Sequence, residues 1–321
     1  MSTFTKPIPK SILIFGASSH IGRPLTTFLL KSSPTTKLRL VTSNPDKLTS
    51  LKSSFPSAEV ISANYDDPES LSLAVANMQA VFVVTPGGFI EKPGMTNLVA
   101  ALQQASTVTH VVRLLGIFPE LPPHRVPSTL PPGSLPVEHP IAKRILDESG
   151  LPVTYLNCGA TFMDNLLLQI KSTHATGTLI WPEHRVPFID PRDVALVAGH
   201  ILLSTNAKHI GAFHTLNNNQ DRITFSELAG ILSEVLGRKI GHDGSWETFS
   251  DFYTPIMGPK LVKEMWDFFK FEEANEETWA LNEFVERTIG RRPTSVREWI
   301  LEHKDALESG AGTAAWASRD Q

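Results

Sequence analysis

The stretch ILIFGASSHIGRPLTTFLL, residues 12–30, decides the fold class of this chain. Its first four residues are all apolar, which is typical of a strand that is covered on both faces. A glycine-containing turn follows, and then an amphipathic pattern with Pro24 in the first turn of a predicted helix, where proline is tolerated. A strand, a tight turn and a helix in this order begin the unit that binds dinucleotides in doubly wound α/β folds.

The turn carries two glycines, whereas a dinucleotide-binding turn usually has three. Gly16 takes the first position, which requires a tight turn, and Gly22 takes the last, where the helix packs closely on the strand. The middle position is Ser19 in one spacing and His20 in the other. A phosphate at a helix N-terminus binds mainly to amide groups, so a serine in the middle costs little. We therefore predict that the diphosphate of a cofactor binds along Gly16, Ala17, Ser18, Ser19, His20, Ile21 and Gly22.

Strand-like and helix-like segments alternate through the first half of the chain. The strand candidates are 11–15, 38–42, 58–62, 80–85, 110–115 and 153–157, and the helix candidates are 21–31, 45–53, 68–78, 94–105 and 141–149. This alternation predicts an α/β fold with a Rossmann-type, doubly wound parallel sheet. Residues 1–157 form the predicted Rossmann domain, to which 188–217 return, and 158–321 form a smaller, mainly helical domain with a C-terminal tail.

The composition narrows the class of protein. A chain of 321 residues with 41% hydrophobic and 19% charged residues is typical of a globular protein. The formal charge of −4 offers no basic surface to nucleic acid, and no apolar run is long enough to span a bilayer. The single cysteine excludes an internal disulfide, and the histidines lack the spacing of metal ligands. These features predict a cytoplasmic protein without nucleic-acid, membrane or metal partners.

Two segments have unusual compositions. Residues 117–140 contain eight prolines and no periodicity, and they follow the fifth predicted strand. They therefore leave the carboxyl edge of the sheet, where open α/β folds bind ligands, and both a stiff surface loop and a lid over a site fit them. Residues 246–284 are rich in aromatic side chains. This richness predicts the core of the helical domain, and it also fits the wall of an apolar pocket.

The end of the second predicted strand favours NADP over NAD as the cofactor. An acidic residue at this point holds the ribose of NAD, whereas the 2′-phosphate of NADP needs polar or basic groups. The chain reads VTSNPDKL here, with Ser43 and Asn44 and no acidic residue before Asp46. The same residues also predict the capped start of a helix. The sequence therefore predicts NADPH as the cofactor.

Six segments, taken together and in this order, resemble the NmrA-like atypical short-chain dehydrogenases/reductases. They are GASSHIG, SNPDKL, ANYDDPESLSLAVANMQAVFVVTPGG, FIDPRDVALVAGHILL, ITFSELAGILSEVLGRKI and RRPTSVREWILEH, and the likeness covers about residues 11–305. The resemblance implies a Rossmann domain and a smaller substrate-binding domain, with the substrate in the cleft between them. It also implies NADPH-dependent reduction of quinones, enones or imines, although a few members bind the nucleotide only as redox sensors.

The resemblance assigns roles to individual residues. Beyond the turn, the cofactor would contact Ser43, Asn44, Asn64, Tyr65, Thr85, Pro86, Gly87, Cys158 and Gly159. The catalytic tyrosine and serine of short-chain dehydrogenases are missing, and the segment HPIAK places His139 at the tyrosine position and Lys143 at the lysine position. A spacing of four puts both on one helix face. Lys143 would then hold the nicotinamide ribose and lower the pKa of His139, the predicted proton donor.

Alternatives accompany these assignments. His139, next to Pro140, also fits a helix N-cap, and Cys158 fits a small buried residue better than a nucleophile. The leading function is NADPH-dependent reduction of a small, apolar, conjugated carbonyl compound, with Lys143 and His139 as catalytic residues. An NADP-binding regulator without turnover and a non-redox isomerase or cyclase on the same fold are the alternatives. A small-molecule substrate is the expected partner, and the oligomeric state, a homodimer included, is left open.

Overall fold

Strands and helices alternate in the structure as the sequence predicts. The structure is a computed structural model that describes residues 5–86, 89–117, 138–276 and 279–310. Its first half contains β1 Ser11–Ile14, α1 Gly22–Ser32, β2 Lys37–Thr42, α2 Lys47–Ser54, β3 Glu59–Ser62, α3 Pro68–Val75, β4 Ala80–Val83, α4 Glu91–Ala105, β5 His110–Leu115, α5 His139–Glu148 and β6 Val153–Cys158.

The second half is richer in helix. It contains β7 Thr161–Phe162, α6 Leu166–Thr176, β8 Thr178–Ile180, β9 Arg185–Ile189, α7 Pro191–Leu203, β10 Phe213–Leu216, β11 Arg222–Thr224, α8 Phe225–Leu236, β12 Gly241–Asp243, α9 Trp246–Met257, α10 Pro259–Glu273, α11 Phe284–Ile289, α12 Val296–Glu302 and α13 Lys304–Ser309. No helix among the described residues has the length and apolar character needed to cross a bilayer.

Seven strands form the central sheet in the order β10-β6-β5-β4-β1-β2-β3. All neighbouring pairs in this sheet are parallel. The order reverses between β1 and β4, and ligands of open α/β sheets bind at the carboxyl ends of the strands at such a reversal. The Rossmann-type fold predicted from the sequence is confirmed, and the turn of residues 16–22 lies at this point of the sheet.

Both faces of the sheet are covered, which explains the uninterrupted apolar character of β1. Ile12 and Ile14 belong to a buried cluster with side chains of α1 and α7. Leu13 faces the opposite way, into a cluster with side chains of α3, α4 and α5. Successive side chains of a strand point to opposite faces, so a strand between two helical layers needs apolar residues at every position.

The helical part of the second half has a core of its own around Trp181. The Trp181 ring lies 5.6 Å from that of Phe249, 5.4 Å from Tyr253 and 5.2 Å from Phe269, measured between centroids. Helices α6, α8, α9, α10, α12 and α13 all contribute side chains to this cluster. The prediction that the aromatic-rich segment forms a helical core is therefore confirmed for most of its rings.

Two helices begin earlier than the sequence patterns predict. Helix α4 starts at Glu91 rather than at residue 94, because Pro93 falls in the first turn, where a missing amide hydrogen costs nothing. Helix α5 starts at His139, with Glu138 as its N-cap residue, so the N-cap interpretation of His139 is wrong. Residues 118–137 of the proline-rich connection lie outside the described residues. Both interpretations of this connection, a surface loop and a lid, concern these residues and stay predictions.

Candidate cofactor site at the carboxyl edge of the sheet

The two glycines of the turn occupy positions that no other residue fits. Gly16 has a φ of +66°, in the left-handed region that glycine adopts without steric cost, and a Cβ there would lie 2.6 Å from Val84 Cγ1. A Cβ on Gly22 would lie 2.1 Å from the Gly16 carbonyl oxygen and 2.7 Å from Ala17 Cα. Helix α1 therefore packs directly on the backbone of the turn, which confirms the tight-turn and close-packing roles of the two glycines.

The serine at the middle position of the turn caps the helix. Ser19 Oγ accepts hydrogen bonds from the amides of Ile21 at 3.3 Å and Gly22 at 2.9 Å. The amides of Ser18 and His20 donate to no group among the described residues. Two open amides at the positive end of a helix fit the diphosphate of a dinucleotide. The missing glycine is thus replaced by a residue that leaves the anion-binding part of the turn intact.

His20, the other candidate for the middle position, contacts the segment that follows β6. Its Nδ1 lies 2.6 Å from Asp164 Oδ2, and its ring meets that of Phe162 edge-on at 5.1 Å. Asp164 lies between β7 and α6. This contact joins the turn after β1 to the start of the helical region, two segments that are 144 residues apart in the sequence.

The residues after β2 and β3 divide into exposed and structural ones. Ser43 is exposed, whereas Asn44 Oδ1 accepts a hydrogen bond from the Asp46 amide at 2.9 Å and so fixes the turn that precedes α2. Asn64 is also exposed. Tyr65 is buried, and its hydroxyl donates to the Val84 carbonyl at 3.0 Å. The phenol of Tyr65 therefore supports the sheet edge from inside the core, and Ser43 and Asn64 present polar side chains at the surface.

A buried ion pair underlies the next part of the edge. Arg113, in the middle of the apolar strand β5, is 0% exposed, and its Nη2 donates to Glu91 Oε1 at 2.5 Å. The Thr85 hydroxyl also donates to this oxygen at 2.5 Å and accepts from Arg113 Nη2 at 2.9 Å. Pro86 next to it is exposed, and Gly87 lies outside the described residues. Buried charges need partners, so the arginine in HVVRLL was the sequence signal for this pair, but it did not identify the partner.

Both ring nitrogens of His139 face protein groups. The Gly116 amide donates to Nδ1 at 2.8 Å, and Nε2 lies 3.7 Å from Glu91 Oε1. Desolvation, together with the charge of Arg113, lowers the pKa of His139 to about 4. The predicted direction of this shift is right, but its cause was wrong, because Arg113 rather than Lys143 supplies the charge. Nδ1 also lies 3.2 Å from the Gly116 carbonyl oxygen, so His139 is a neutral imidazole whose two nitrogens contact Gly116 and face Glu91.

Lys143 lies one turn further along α5, over the ring of Tyr155. Its Nζ donates to Asp147 Oδ2 at 2.6 Å and lies 4.7 Å from the centre of the Tyr155 ring. The Tyr155 hydroxyl donates to Asp147 Oδ1 at 2.7 Å. Both members of the Lys143–Asp147 pair are partly exposed, and such pairs contribute only about 0.2–1 kcal/mol. The ammonium is therefore held weakly.

The end of β6 completes the edge. The Asn157 side chain, 0% exposed, accepts from the Ile117 amide at 2.7 Å and donates to the Ile117 carbonyl at 2.9 Å. Burial and the nearby charge of Asp164 raise the pKa of the Cys158 thiol, as expected for a small structural cysteine. A Cβ on Gly159 would lie 2.9 Å from Trp279 Cζ3, so this glycine lets an aromatic ring approach the sheet edge. Neither Asn157 nor Trp279 was predicted to act here.

These features together define a dinucleotide-binding α/β protein. The family described as NAD(P)H-binding matches residues 16–186, more than half of the chain, and the protein belongs to this family. The prediction of a nicotinamide dinucleotide as cofactor is confirmed at this level. The matched residues begin at the first glycine of the turn and extend into β9.

Individual proteins share the whole fold. A (4-alkanoyl-5-oxo-2,5-dihydrofuran-3-yl)methyl phosphate reductase from Streptomyces griseus is 27% identical over 309 residues, which cover 92% of this chain and 99% of the relative. An NADPH-dependent quinone oxidoreductase from Escherichia coli, in complex with NADPH, is 20% identical with a TM-score of 0.77, covering 92% and 99% of the two chains.

NmrA, a negative transcriptional regulator solved in complex with NADP, is 15% identical with a TM-score of 0.74, covering 95% of this chain and 98% of NmrA. At these identities the two solved structures establish a common fold. Together with the NAD(P)H-binding family match and the reductase relative, this common fold confirms the resemblance to NmrA-like NAD(P)-binding proteins predicted from the sequence.

Proposed function

We propose that the protein is an NADPH-dependent reductase of a small, apolar, conjugated carbonyl compound such as a quinone or an enone. The observation that carries the proposal is the turn of residues 16–22, with its two required glycines and the open amides of Ser18 and His20. The reductase from Streptomyces griseus, alike over nearly its whole length, supports reduction as the reaction. Its named substrate contains a ring oxo group and an alkanoyl group, which agrees with a carbonyl compound as the substrate class.

The bound cofactor would supply a hydride, and the protein would supply binding, orientation and a proton. The amides of the turn would hold the diphosphate, and Ser43, as an exposed polar residue without a neighbouring carboxylate in the sequence, would favour the 2′-phosphate of NADPH. Apolar side chains near the edge, among them Trp279 and the exposed Ile90, would contact an apolar substrate. His139 would fix the backbone at Gly116, where the proline-rich connection starts.

Lys143 would contact the nicotinamide ribose after exchanging its partner. The pair with Asp147 is weak enough to be replaced by a hydroxyl group of the cofactor. A lost charged hydrogen bond is worth about 1.5–3 kcal/mol, so Lys143→Met should weaken NADPH binding by roughly tenfold or more. The same substitution at Lys263, which also pairs with an aspartate one turn away but lies on α10, is the matched control.

The test is a fluorescence titration with NADPH and NADH, followed by NADPH oxidation with para-benzoquinone, menadione, cyclohexenone and an alkanoyl butenolide. We expect tighter binding of NADPH than of NADH and turnover of at least one compound. Tight binding without any turnover would instead support an NADP-binding regulator. No binding of either cofactor would favour a non-redox isomerase or cyclase. Light scattering of the same sample measures the oligomeric state, including the homodimer left open by the sequence.

A further inference from the structure

Reduction of a conjugated carbonyl compound requires a proton as well as a hydride, and this inference rests on the proposed reductase function. The chain lacks the tyrosine that donates this proton in short-chain dehydrogenases, so another group must do so. The donor has to lie at the carboxyl edge of the sheet, beside the cofactor turn. The predicted site residues at or near this edge that carry an acidic hydrogen on a phenol, thiol, imidazole or ammonium group are His20, Tyr65, His139, Lys143 and Cys158.

Two of these groups are poor acids because of their surroundings. Burial raises the pKa of Tyr65, and its hydroxyl is already engaged with the Val84 carbonyl. Burial and the charge of Asp164 raise the pKa of Cys158. A group whose charged form is disfavoured by burial holds its proton too tightly to serve as a general acid near neutral pH.

His139 and Lys143 are excluded by their contacts. His139 is neutral, its Nδ1 contacts both the amide and the carbonyl of Gly116, and its Nε2 faces Glu91, so protein groups surround its single proton. Donation of that proton would leave an imidazolate, which is far too basic to form here. In the proposed function the ammonium of Lys143 leaves Asp147 for a hydroxyl group of the cofactor ribose, so it is engaged with the cofactor rather than with the substrate. Neither residue therefore presents a usable proton to a substrate.

His20 is the residue whose contacts suit a donor. Its Nδ1 is fixed by Asp164 Oδ2 at 2.6 Å, while no hydrogen bond to Nε2 is formed among the described residues. Asp164 Oδ1 is buried and has no partner in the same part of the chain, so its charge is available to the imidazole. A carboxylate that holds one ring nitrogen selects the tautomer and orients the other nitrogen toward the reacting group. The ring is 26% exposed, so solvent can return the proton after each turnover.

We propose that His20, oriented by Asp164, is the proton donor of this reductase. The substrate gains a hydride from NADPH at its β-carbon, and the electron pair of the carbon–carbon double bond moves toward the carbonyl group. The Nε2–H bond of the imidazolium breaks, and its proton joins the α-carbon or the carbonyl oxygen. The products are the reduced carbonyl compound, NADP⁺ and a neutral His20 that keeps its Nδ1 proton on Asp164. Water then restores the Nε2 proton.

The decisive variant is His20→Gln, because a glutamine amide can still donate to Asp164 but cannot transfer a proton. The compound of the panel that the wild type reduces fastest serves as the probe. We expect kcat to fall by about 10²–10⁴-fold, the usual contribution of a positioned proton donor, while the Kd for NADPH changes less than about threefold. His174→Gln is the matched control, since that histidine contacts the Leu307 carbonyl in the helical region.

Asp164→Asn tests the orientation step with a readout that does not need turnover. Long-range proton–nitrogen NMR of protein labelled in its histidines should show that His20 of the wild type keeps its Nδ1 proton whether or not Nε2 is also protonated, and that the variant loses this preference. The variant should also lose at least tenfold in kcat. If the wild type reduces the probe and the kcat of His20→Gln is within threefold of the wild-type kcat, the donor role alone is overturned. A wild type that binds NADPH and reduces nothing would overturn the proposed function, and the donor role with it.

Discussion

The two halves of the carboxyl edge are built in different ways. After β1, the edge consists of backbone: two glycines, a capped helix start and two open amides within residues 16–22. After β4 and β5, it consists of side chains from distant segments, Thr85, Glu91, Arg113 and His139, joined in a buried network. One half is local in sequence, and the other exists only because the sheet brings four segments together.

The same residue type shows what this difference means for chemistry. His139, in the side-chain network, has both nitrogens committed to Gly116 and Glu91, and its pKa is lowered to about 4. His20, on the backbone-built turn, has one nitrogen fixed by a carboxylate and the other without a described partner. A histidine that matches a catalytic position in the sequence can thus have a structural role, while one in a glycine-rich turn becomes the candidate donor.

The largest effect should come from breaking the backbone-built half with Gly22→Ala. The new Cβ would meet backbone at 2.1 Å and 2.7 Å, and backbone atoms cannot rotate away as a side chain can. We expect NADPH affinity to fall at least about 100-fold, roughly 2.7 kcal/mol, in a fluorescence titration. Gly230→Ala in α8 is the control, because a Cβ there meets nothing within 4 Å and helix propensity should add about 0.5–1 kcal/mol of stability. Normal binding by Gly22→Ala would show that the turn is not as tightly packed as described.

We expect Arg113→Met to disrupt the buried side-chain network after β4 and β5. Removal of one partner leaves Glu91 buried without its counter-charge, and such a loss costs about 3–5 kcal/mol of the free energy of unfolding. Urea unfolding of the single variant and of Arg113→Met with Glu91→Met measures the coupling. The double variant should recover part of the loss, since no charge then remains unpaired. Equal stability of the single variant and the wild type would contradict the network.

A third substitution, His139→Gln, tests the side-chain half through the pH dependence of its stability. An unfolded histidine has a pKa of about 6.5, whereas His139 has one of about 4, so below pH 6.5 the unfolded chain binds a proton that the folded one refuses. This residue therefore contributes a stability that is present at pH 7 and is lost as the pH falls toward 4. Glutamine keeps an acceptor for the Gly116 amide without titrating. Between pH 7 and pH 5 the free energy of unfolding of the wild type should fall by on the order of 1–2 kcal/mol more than that of the variant. Equal decreases in the two proteins would show that His139 does not cause the pH dependence.

The smallest effect should come from Ser19→Gly, which restores the third glycine of the turn. The substitution removes the cap on Ile21 and Gly22, at a cost of a few tenths of a kcal/mol to about 1 kcal/mol in thermal or urea unfolding. It also frees two more amides for the diphosphate. We expect NADPH affinity to stay within about tenfold of the wild type, because Ser18 and His20 already offer open amides. A larger gain would mean that Ser19 competes with the cofactor for the same donors.

The sequence predicted the parallel sheet, the glycine roles and the helical second region, because each depends on local periodicity or on backbone space. It did not predict the partner of Arg113, the contact of Asn157 with Ile117, or the approach of Trp279 to Gly159. It also led to the wrong source of charge at His139. Each of these contacts joins residues that are more than 20 positions apart, and local pattern does not specify which distant residue arrives.

The sequence by itself determined the strand, turn and helix of residues 12–30 and, through them, the cofactor class. A turn of this kind works through backbone atoms, and the only side-chain requirement is the absence of a Cβ at two positions. The tertiary structure alone decided which titratable groups are available for chemistry. Hydrogen-bond partners and burial determine whether a histidine can give up a proton, and for His20 and His139 these come from Asp164 and Glu91, residues that only the folded chain brings within reach.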